Sequence, residues 1–327
     1  MIRSAACFLL VLCLCATSYA QQSRIVGGSN VAEGTYPWMA SVGTPSFGSN
    51  SIFFNQFCGG MLVSPDYVLT AGHCVVGENP NSLEVVVGVT NLSNVPSTAR
   101  RRGVSQIILH PGFQDFGIVF NDVALLKLDS PITDITPIPI ATAPTTSVGA
   151  PVKAIGWGDT TDSEFTTNFP QVLQQVDLST VSQNRIRSEF GNSLSLQHLG
   201  AFAFGGDTCQ GDSGGPLFIE SPLTLVGITS FGFGCADTTA GVYANVGFYA
   251  DFINSFIDVT PDTGDEILLG DVNLDEAVNF FDISPFIVVL SGAGGGFQEE
   301  ADIDRNGSVN FLDIAPFIDI LSGNTGK

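Results

Sequence analysis

The sequence predicts an all-β body followed by a small helical tail. Three observations carry this. Across residues 25–259, short β-rich runs such as Ser82–Val89, Arg102–Leu109, Val152–Gly156 and Leu225–Ser230 alternate with Gly, Pro, Asn and Ser. That spacing specifies an all-β barrel or sandwich. A short linker, residues 260–264 (Thr260-Pro261-Asp262-Thr263-Gly264), then precedes a change in composition at residues 265–327, where basic residues almost vanish and acids cluster. Within that tail a loop-plus-helix unit returns 31 residues on, from Asp271 to Asp302, which implies two tandem units rather than a long solenoid. The 327 residues are enough for two domains.

Residues 1–20 read as a secretory signal, with Arg3 as the positive start, an apolar run from Ala5 to Ala16 and small residues at Ser18 and Ala20. The run is shorter than the roughly 20 residues that a membrane-spanning helix needs. Secretion sets the redox context. Of seven cysteines, Cys7, Cys13 and Cys15 leave with the signal, and Cys58, Cys74, Cys209 and Cys235 remain. Four cysteines allow three pairings, and spacing alone does not choose among them. The formal charge of −21 argues against a nucleic-acid partner, whose phosphates demand a basic surface.

Three segments concentrate the chemistry. Gly211-Asp212-Ser213-Gly214-Gly215-Pro216 places a serine between an acid and glycines that permit tight, positive-φ turns. Upstream lie Thr70-Ala71-Gly72-His73-Cys74 and Asn121-Asp122-Val123-Ala124-Leu125-Leu126. A serine hydroxyl attacks an amide only when a base takes its proton, and a histidine oriented by an acid does this.

With Ile25-Val26-Gly27-Gly28 near the start, these motifs and their order, His, Asp, Ser, resemble the chymotrypsin/trypsin family of serine proteases. A silent binding protein on that scaffold usually lacks a triad member, and none is lost here. The resemblance implies two six-stranded antiparallel β-barrels with the site in the cleft between them, and a closing helix over Tyr249 to Ile257. It implies catalytic His73, Asp122 and Ser213, an oxyanion hole made by the N–H groups of Gly211 and Ser213, and disulfides Cys58–Cys74 and Cys209–Cys235. No cofactor is needed for that catalysis. His110 reads as a surface-loop residue, and His198 carries no assignment.

The resemblance also implies a substrate preference and an activation step. Gly206-Asp207-Thr208-Cys209-Gln210-Gly211-Asp212-Ser213 aligns without gaps to the trypsin-like branch, which puts Asp207 at the floor of the primary pocket. Gly232 and Gly241 match the walls. A buried carboxylate there calls for a basic substrate side chain, Arg or Lys. Residues 21–24 form a very short propeptide. Cleavage after Arg24 would free the Ile25 amine to pair with Asp212, so the chain is expected to be a zymogen. Ser230-Phe231-Gly232 carries Phe where the family usually has Trp. No acidic ligand pair lies between Thr90 and Arg102, so no calcium is expected in the barrels.

In the tail, oxygen-bearing side chains alternate as in a calcium loop. The first loop offers Asp271, Asn273, Asp275, Asn279 and Asp282, and the second Asp302, Asp304, Asn306, Asn310 and Asp313. The closing ligand is Asp rather than Glu, and no clear helix precedes the first loop. With the duplication, this resembles a type I dockerin, a calcium-folded α-helical module that docks onto a cohesin-like scaffold protein. Glu276 departs from the pattern, since Gly307 holds the sharp-turn position of the second loop.

Overall fold

The structure is a computed structural model that describes residues 28–46, 49–161, 167–234, 238–257, 283–290, 309 and 313–321. The chain separates into two compact units, Met1–Asp258 and Val259–Lys327. The first opens with strands β1 (Ser29–Asn30), β2 (Met39–Gly43), β3 (Gln56–Ser64), β4 (Tyr67–Thr70), β5 (Glu84–Val87), β6 (Arg100–Leu109), β7 (Gln114–Asp115), β8 (Val119–Phe120) and β9 (Ala124–Leu128). Six of these close into an antiparallel barrel in the order β2-β3-β4-β9-β6-β5. The remaining pair, β7 and β8, makes a small hairpin of its own.

A second ring follows from β10 (Pro151–Gly156), β11 (Gln174–Val181), helix α1 (Gln183–Phe190), β12 (His198–Phe202), β13 (Pro216–Glu220), β14 (Leu223–Phe231) and β15 (Gly241–Asn245). Its order is β11-β10-β13-β14-β15-β12, and pairing of β11 with β12 closes it. The short β1 adds to the outside of β11. The fold is thus two six-stranded antiparallel barrels, as the resemblance implies.

Side-chain period sets the faces. In β11 the residues Gln174, Val176, Leu178 and Thr180 are buried while Asp177 and Ser179 are exposed, the alternation expected of a pleated strand with one inner face. Val152, Ala154, Leu199, Leu217 and Tyr243 fill the second barrel around Val176 and Leu178. The larger core starts in the first barrel with Met39, Met61, Leu69, Val85 and Leu125 and continues without a break to Ile155, Trp157, Phe218 and Ile228. The barrels therefore share an apolar seam, and each large side chain in it contributes about 1.5–3 kcal/mol. Trp157 Nε1 also donates across the seam to the Thr90 carbonyl (3.2 Å).

Three local expectations are revised. The strand expected from Ser82 starts at Glu84, because Pro80–Ser82 forms a short 3₁₀ turn capped by the Asn79 side chain. The closing helix expected over 249–257 is a 3₁₀ turn, Val246–Tyr249, leading into helix α2 (Ala250–Asn254). His110 is not a free loop residue. It is half-buried, its ring packs edge-on against Tyr249 and Phe252, and its Nδ1 accepts from Gly112 N–H (3.1 Å). Burial lowers its pKa, so it serves as a neutral packing group between the first barrel and the closing helix.

In the second unit, helices α3 (Ile283–Leu290) and α4 (Ile314–Leu321) occupy equivalent places in the repeat. Phe286 and Phe317 stack at 4.1 Å between ring centroids. Ile283, Leu290, Val309, Ile314 and Leu321 pack around them. Pro285 and Pro316 fall in the first turn of each helix, where the missing N–H has no intrahelical partner to lose. Among the described residues no helix is long and apolar enough to cross a membrane.

Candidate active site

The site is built on the seam between the barrels. His73 lies in a short 3₁₀ turn, Gly72–Cys74, that follows β4. Gly72 is needed there, because a Cβ would sit 2.7 Å from the Phe113 ring and 2.9 Å from Leu109. Behind the turn, the Cys58–Cys74 disulfide ties it to β3.

Asp122 is presented by an unusual backbone. Asn121 holds φ +52°, a left-handed conformation that Asn tolerates better than most residues. Its side chain is tethered to the Gly112 carbonyl (2.7 Å), and its N–H donates to Gln197 Oε1 (3.0 Å). The Asp122 carboxylate is 2% exposed. It accepts from His73 N–H (2.8 Å), from His73 Nδ1 (2.7 Å) and from the Ser230 hydroxyl. The Nδ1 bond to the carboxylate fixes the ring as the tautomer protonated on Nδ1, leaving Nε2 as the basic nitrogen. Burial lowers the imidazole pKa, but the hydrogen bond and charge of Asp122, helped by Asp115, outweigh it, and the net shift is upward. Ser230 was not singled out as part of this group in the sequence. It lies 108 residues from Asp122, and only the strand pairing brings it there.

Ser213 stands in a tight turn closed by Gly215 N–H to the Asp212 carbonyl (2.8 Å). Gly214 has φ +75°, and a Cβ on it would strike the Thr70 hydroxyl at 2.3 Å. The Ser213 carbonyl accepts from Gly59 N–H of β3 (2.8 Å). Since Gly59 follows Cys58, and Cys58 is bonded to the neighbour of His73, the serine turn and the histidine turn are fastened to the same stretch of β3.

The peptide groups beside Ser213 are oriented too. Gly211 has φ +95°, a value that suits glycine alone. The Gln210 carbonyl accepts from Asp159 N–H (2.7 Å). The Gly211 N–H belongs to that same planar peptide, so it points the opposite way. The Gly211 carbonyl in turn accepts from Gln56 Nε2 (3.1 Å). Among the described residues neither Gly211 N–H nor Ser213 N–H is taken by another acceptor.

Asp212 is fully buried. Its carboxylate oxygens accept from Gly158 N–H (2.7 Å) and Cys209 N–H (2.9 Å). Only glycine allows this approach, since a Cβ at Gly156 or Gly158 would lie 2.1 or 2.4 Å from the Asp212 carboxyl group. Burial raises its pKa to about 7, against the lowering effect of those two N–H groups and with a further push from the charges of Asp207 and Asp159.

Asp207 is 7% exposed, and its Oδ1 accepts from Thr208 N–H (2.8 Å). Thr208 Oγ1 and Tyr243 OH are 3.2 Å apart. A Cβ on Gly241 would lie 3.0 Å from Asp207 Oδ1, and one on Gly232 would meet only Gly241, at 4.0 Å. The two glycines therefore leave open a gap that has the Asp207 carboxylate beside it.

His198 is buried at 2% exposure, with Nε2 3.0 Å from the Val119 carbonyl and its ring edge-on to Phe120 and Phe231. Burial lowers its pKa, and its burial among those rings makes it a packing group. Cys209 is disulfide-bonded. Its expected partner Cys235, the activation residues Arg24 and Ile25, and the calcium-ligand residues other than Asp313 lie outside the described residues. Asp313 is fully buried just ahead of α4, where its carbonyl accepts from Phe317 N–H (2.9 Å).

A family model described as Trypsin matches residues 25–253. Trypsin-1 of Astacus astacus is 36% identical over 243 residues, covering 71% of this chain and 99% of that protein. Trypsin of Saccharopolyspora erythraea is 34% identical over 234 residues, 70% of this chain and 96% of its own. Trypsin alpha of Drosophila erecta is 35% identical over 239 residues, 71% of this chain and 87% of its own.

Proposed function

The chain belongs to the trypsin family of serine proteases and is a serine endopeptidase, and from that premise we propose that it is a secreted zymogen which, once cut after Arg24, cleaves peptide bonds after Arg or Lys. Ser213 Oγ attacks the substrate carbonyl carbon while His73 Nε2 takes its proton. The carbonyl π pair moves onto the oxygen, and the N–H groups of Gly211 and Ser213 bind the resulting oxyanion. Collapse of this intermediate breaks the C–N bond, and His73 returns its proton to the leaving amine. Water then attacks the acyl-enzyme with His73 as base, the bond from the acyl carbon to Ser213 Oγ breaks as His73 returns the proton to that oxygen, and the new carboxyl end leaves. Asp122 holds the tautomer and stabilises the imidazolium.

The observation that carries the preference is the buried Asp207 carboxylate beside the gap left by Gly232 and Gly241. A long cationic side chain fits such a gap and compensates the buried charge. For activation, the supporting observation is the burial of Asp212 with a pKa near neutrality. The freed Ile25 amine would supply the cation that keeps this carboxylate ionised at neutral pH. One assay tests both readings. Chromogenic peptides ending in Arg, Phe or Ala are given to the intact chain and to the chain cut at Arg24, beside Asp207→Ser. The expected result is Arg-selective turnover by the cut chain only, with the selectivity lost in Asp207→Ser. Equal activity of the intact chain would sink the zymogen reading. An unchanged preference in Asp207→Ser would sink the pocket assignment.

The tail we infer to be a calcium-folded module that anchors the enzyme to a cohesin-like scaffold protein. Its supports are the repeat, the oxygen-bearing spacing and the burial of Asp313 at the start of α4. Asp313 fits as the closing oxygen ligand of the second loop. Melting of the full chain should show one transition that moves up with added calcium and down with chelator. A melting profile indifferent to both would end the calcium reading.

A further inference from the structure

We infer that Gln56 is a positioning residue of the oxyanion site, acting through the Gly211 carbonyl. The inference rests on the proposed role of the Gly211 and Ser213 N–H groups, and its test separates the two. Gln56 opens β3 in the first barrel, 155 residues from Gly211 in sequence. Its aim comes from a β-bulge. Val42 pairs with Cys58 and Gly43 with Gln56, so Phe57 has no residue opposite it. A bulge of this kind re-aims the side chains around it, and here the Gln56 amide reaches the second barrel while its own N–H stays bonded to the Ile52 carbonyl (3.1 Å).

The contact matters because of which peptide it holds. Gly211 has no side chain to brace it, and besides the Asp212 N–H bond to the Cys209 carbonyl (3.0 Å) its flanking peptides are held by their carbonyls. Asp159 N–H holds the 210–211 peptide by the Gln210 carbonyl, and Gln56 holds the 211–212 peptide by the Gly211 carbonyl. Gly59, also of β3, holds the Ser213 carbonyl. One strand of the first barrel thus grips alternate carbonyls, 211 and 213, on either side of Asp212. Oxyanion stabilisation depends on donors fixed before the charge appears. Gln56 donates to neither the substrate nor the oxyanion; it restrains the 211–212 peptide, which links the two peptides that carry the donors.

The test uses the active, cut enzyme with Gln56→Leu, which lacks the donor, and Gln56→Glu, which sets a carboxylate against the carbonyl. Substrates are peptide anilides, for which slow acylation makes KM report binding. The second probe is a peptide boronate, whose tetrahedral adduct with Ser213 presents an oxygen to the donors. We expect kcat to fall about tenfold in Gln56→Leu, the factor one neutral hydrogen bond carries, and further in Gln56→Glu. KM and the acid limb of the pH profile should stay in place, because pocket and triad are untouched. Boronate affinity should fall in step with kcat. Unchanged kcat and boronate affinity would overturn the inference. So would a rise in KM matching the fall in kcat, which would mark a general loosening of the site. Should the unaltered enzyme bind the boronate no more tightly than its substrate, the oxyanion reading itself fails, whatever the variants do.

Discussion

Replacing His73 by alanine is expected to lower kcat by about 10⁶, the scale of loss when the base of such a triad is removed. The geometry explains why nothing else takes over. His198 is buried behind Phe120 and Phe231 with Nε2 3.0 Å from a carbonyl, and His110 is packed against the closing helix. Among the described residues there is no third histidine beyond these two to substitute. Ser213→Ala should cost about as much, and the double variant little more than either single change, because nucleophile and base act as one unit. Single-turnover assays of the three variants check this. A His73→Ala enzyme within a hundredfold of the parent would mean that His73 is not the base, and independent, multiplying losses would mean that the two side chains do not work together.

Asp122→Asn is expected to reduce kcat by about 10⁴, the factor associated with the reference triad of this family. The amide would keep the shape and the burial. It would offer an N–H where Asp122 offers an acceptor, which turns the His73 ring toward the wrong tautomer. A second signature tells this apart from a loss of fold. His73 is raised above its ordinary pKa by Asp122 against the lowering effect of burial. A base works only when neutral, so activity of the parent falls as pH drops through that raised value. With the charge removed, burial is left to dominate, and the acid limb should move to lower pH even as the plateau falls. Rate profiles over pH for parent and variant give the answer. An acid limb that stays in place, or moves up, would remove Asp122 from the account of the shift.

Much of the site was legible because its signals are local. His73, Asp122 and Ser213 each sit in a run of a few residues whose neighbours have visible duties: Gly72 beneath the Phe113 ring, Asn121 in a left-handed turn, Gly214 against the Thr70 hydroxyl. What escaped notice is what depends on register between distant strands. Ser230 reaches Asp122, and Gln56 reaches Gly211, only after both barrels have closed and a bulge has displaced Phe57. No local pattern announces such pairings. Strand ends behaved likewise. The β run expected from Arg102 begins two residues earlier, since β6 starts at Arg100. Two of its guanidinium groups find carboxylates at Asp134 and Glu84, and a third bonds the carbonyls of Ser130 and Pro131. Neighbours far along the chain thus make an unpromising strand sequence acceptable.

The placing of those arginines bears on how the enzyme survives its own company. A protease needs its target threaded through the cleft as an open, extended stretch, free of other partners. In the barrel unit the described basic residues are Arg100, Arg101 and Arg102 in β6, Lys127 in β9, Lys153 in β10, and Arg185 and Arg187 in α1. Every one is already committed to a neighbouring strand or to a helical turn, and the stretch from Ser188 to Asp304 contains no lysine or arginine at all. On the proposed preference for Arg or Lys, a second copy searching this body for a basic residue on a loop finds none among the described residues. Under that preference the described loops of the barrel unit, where a folded chain is most open to attack, have been left without bait.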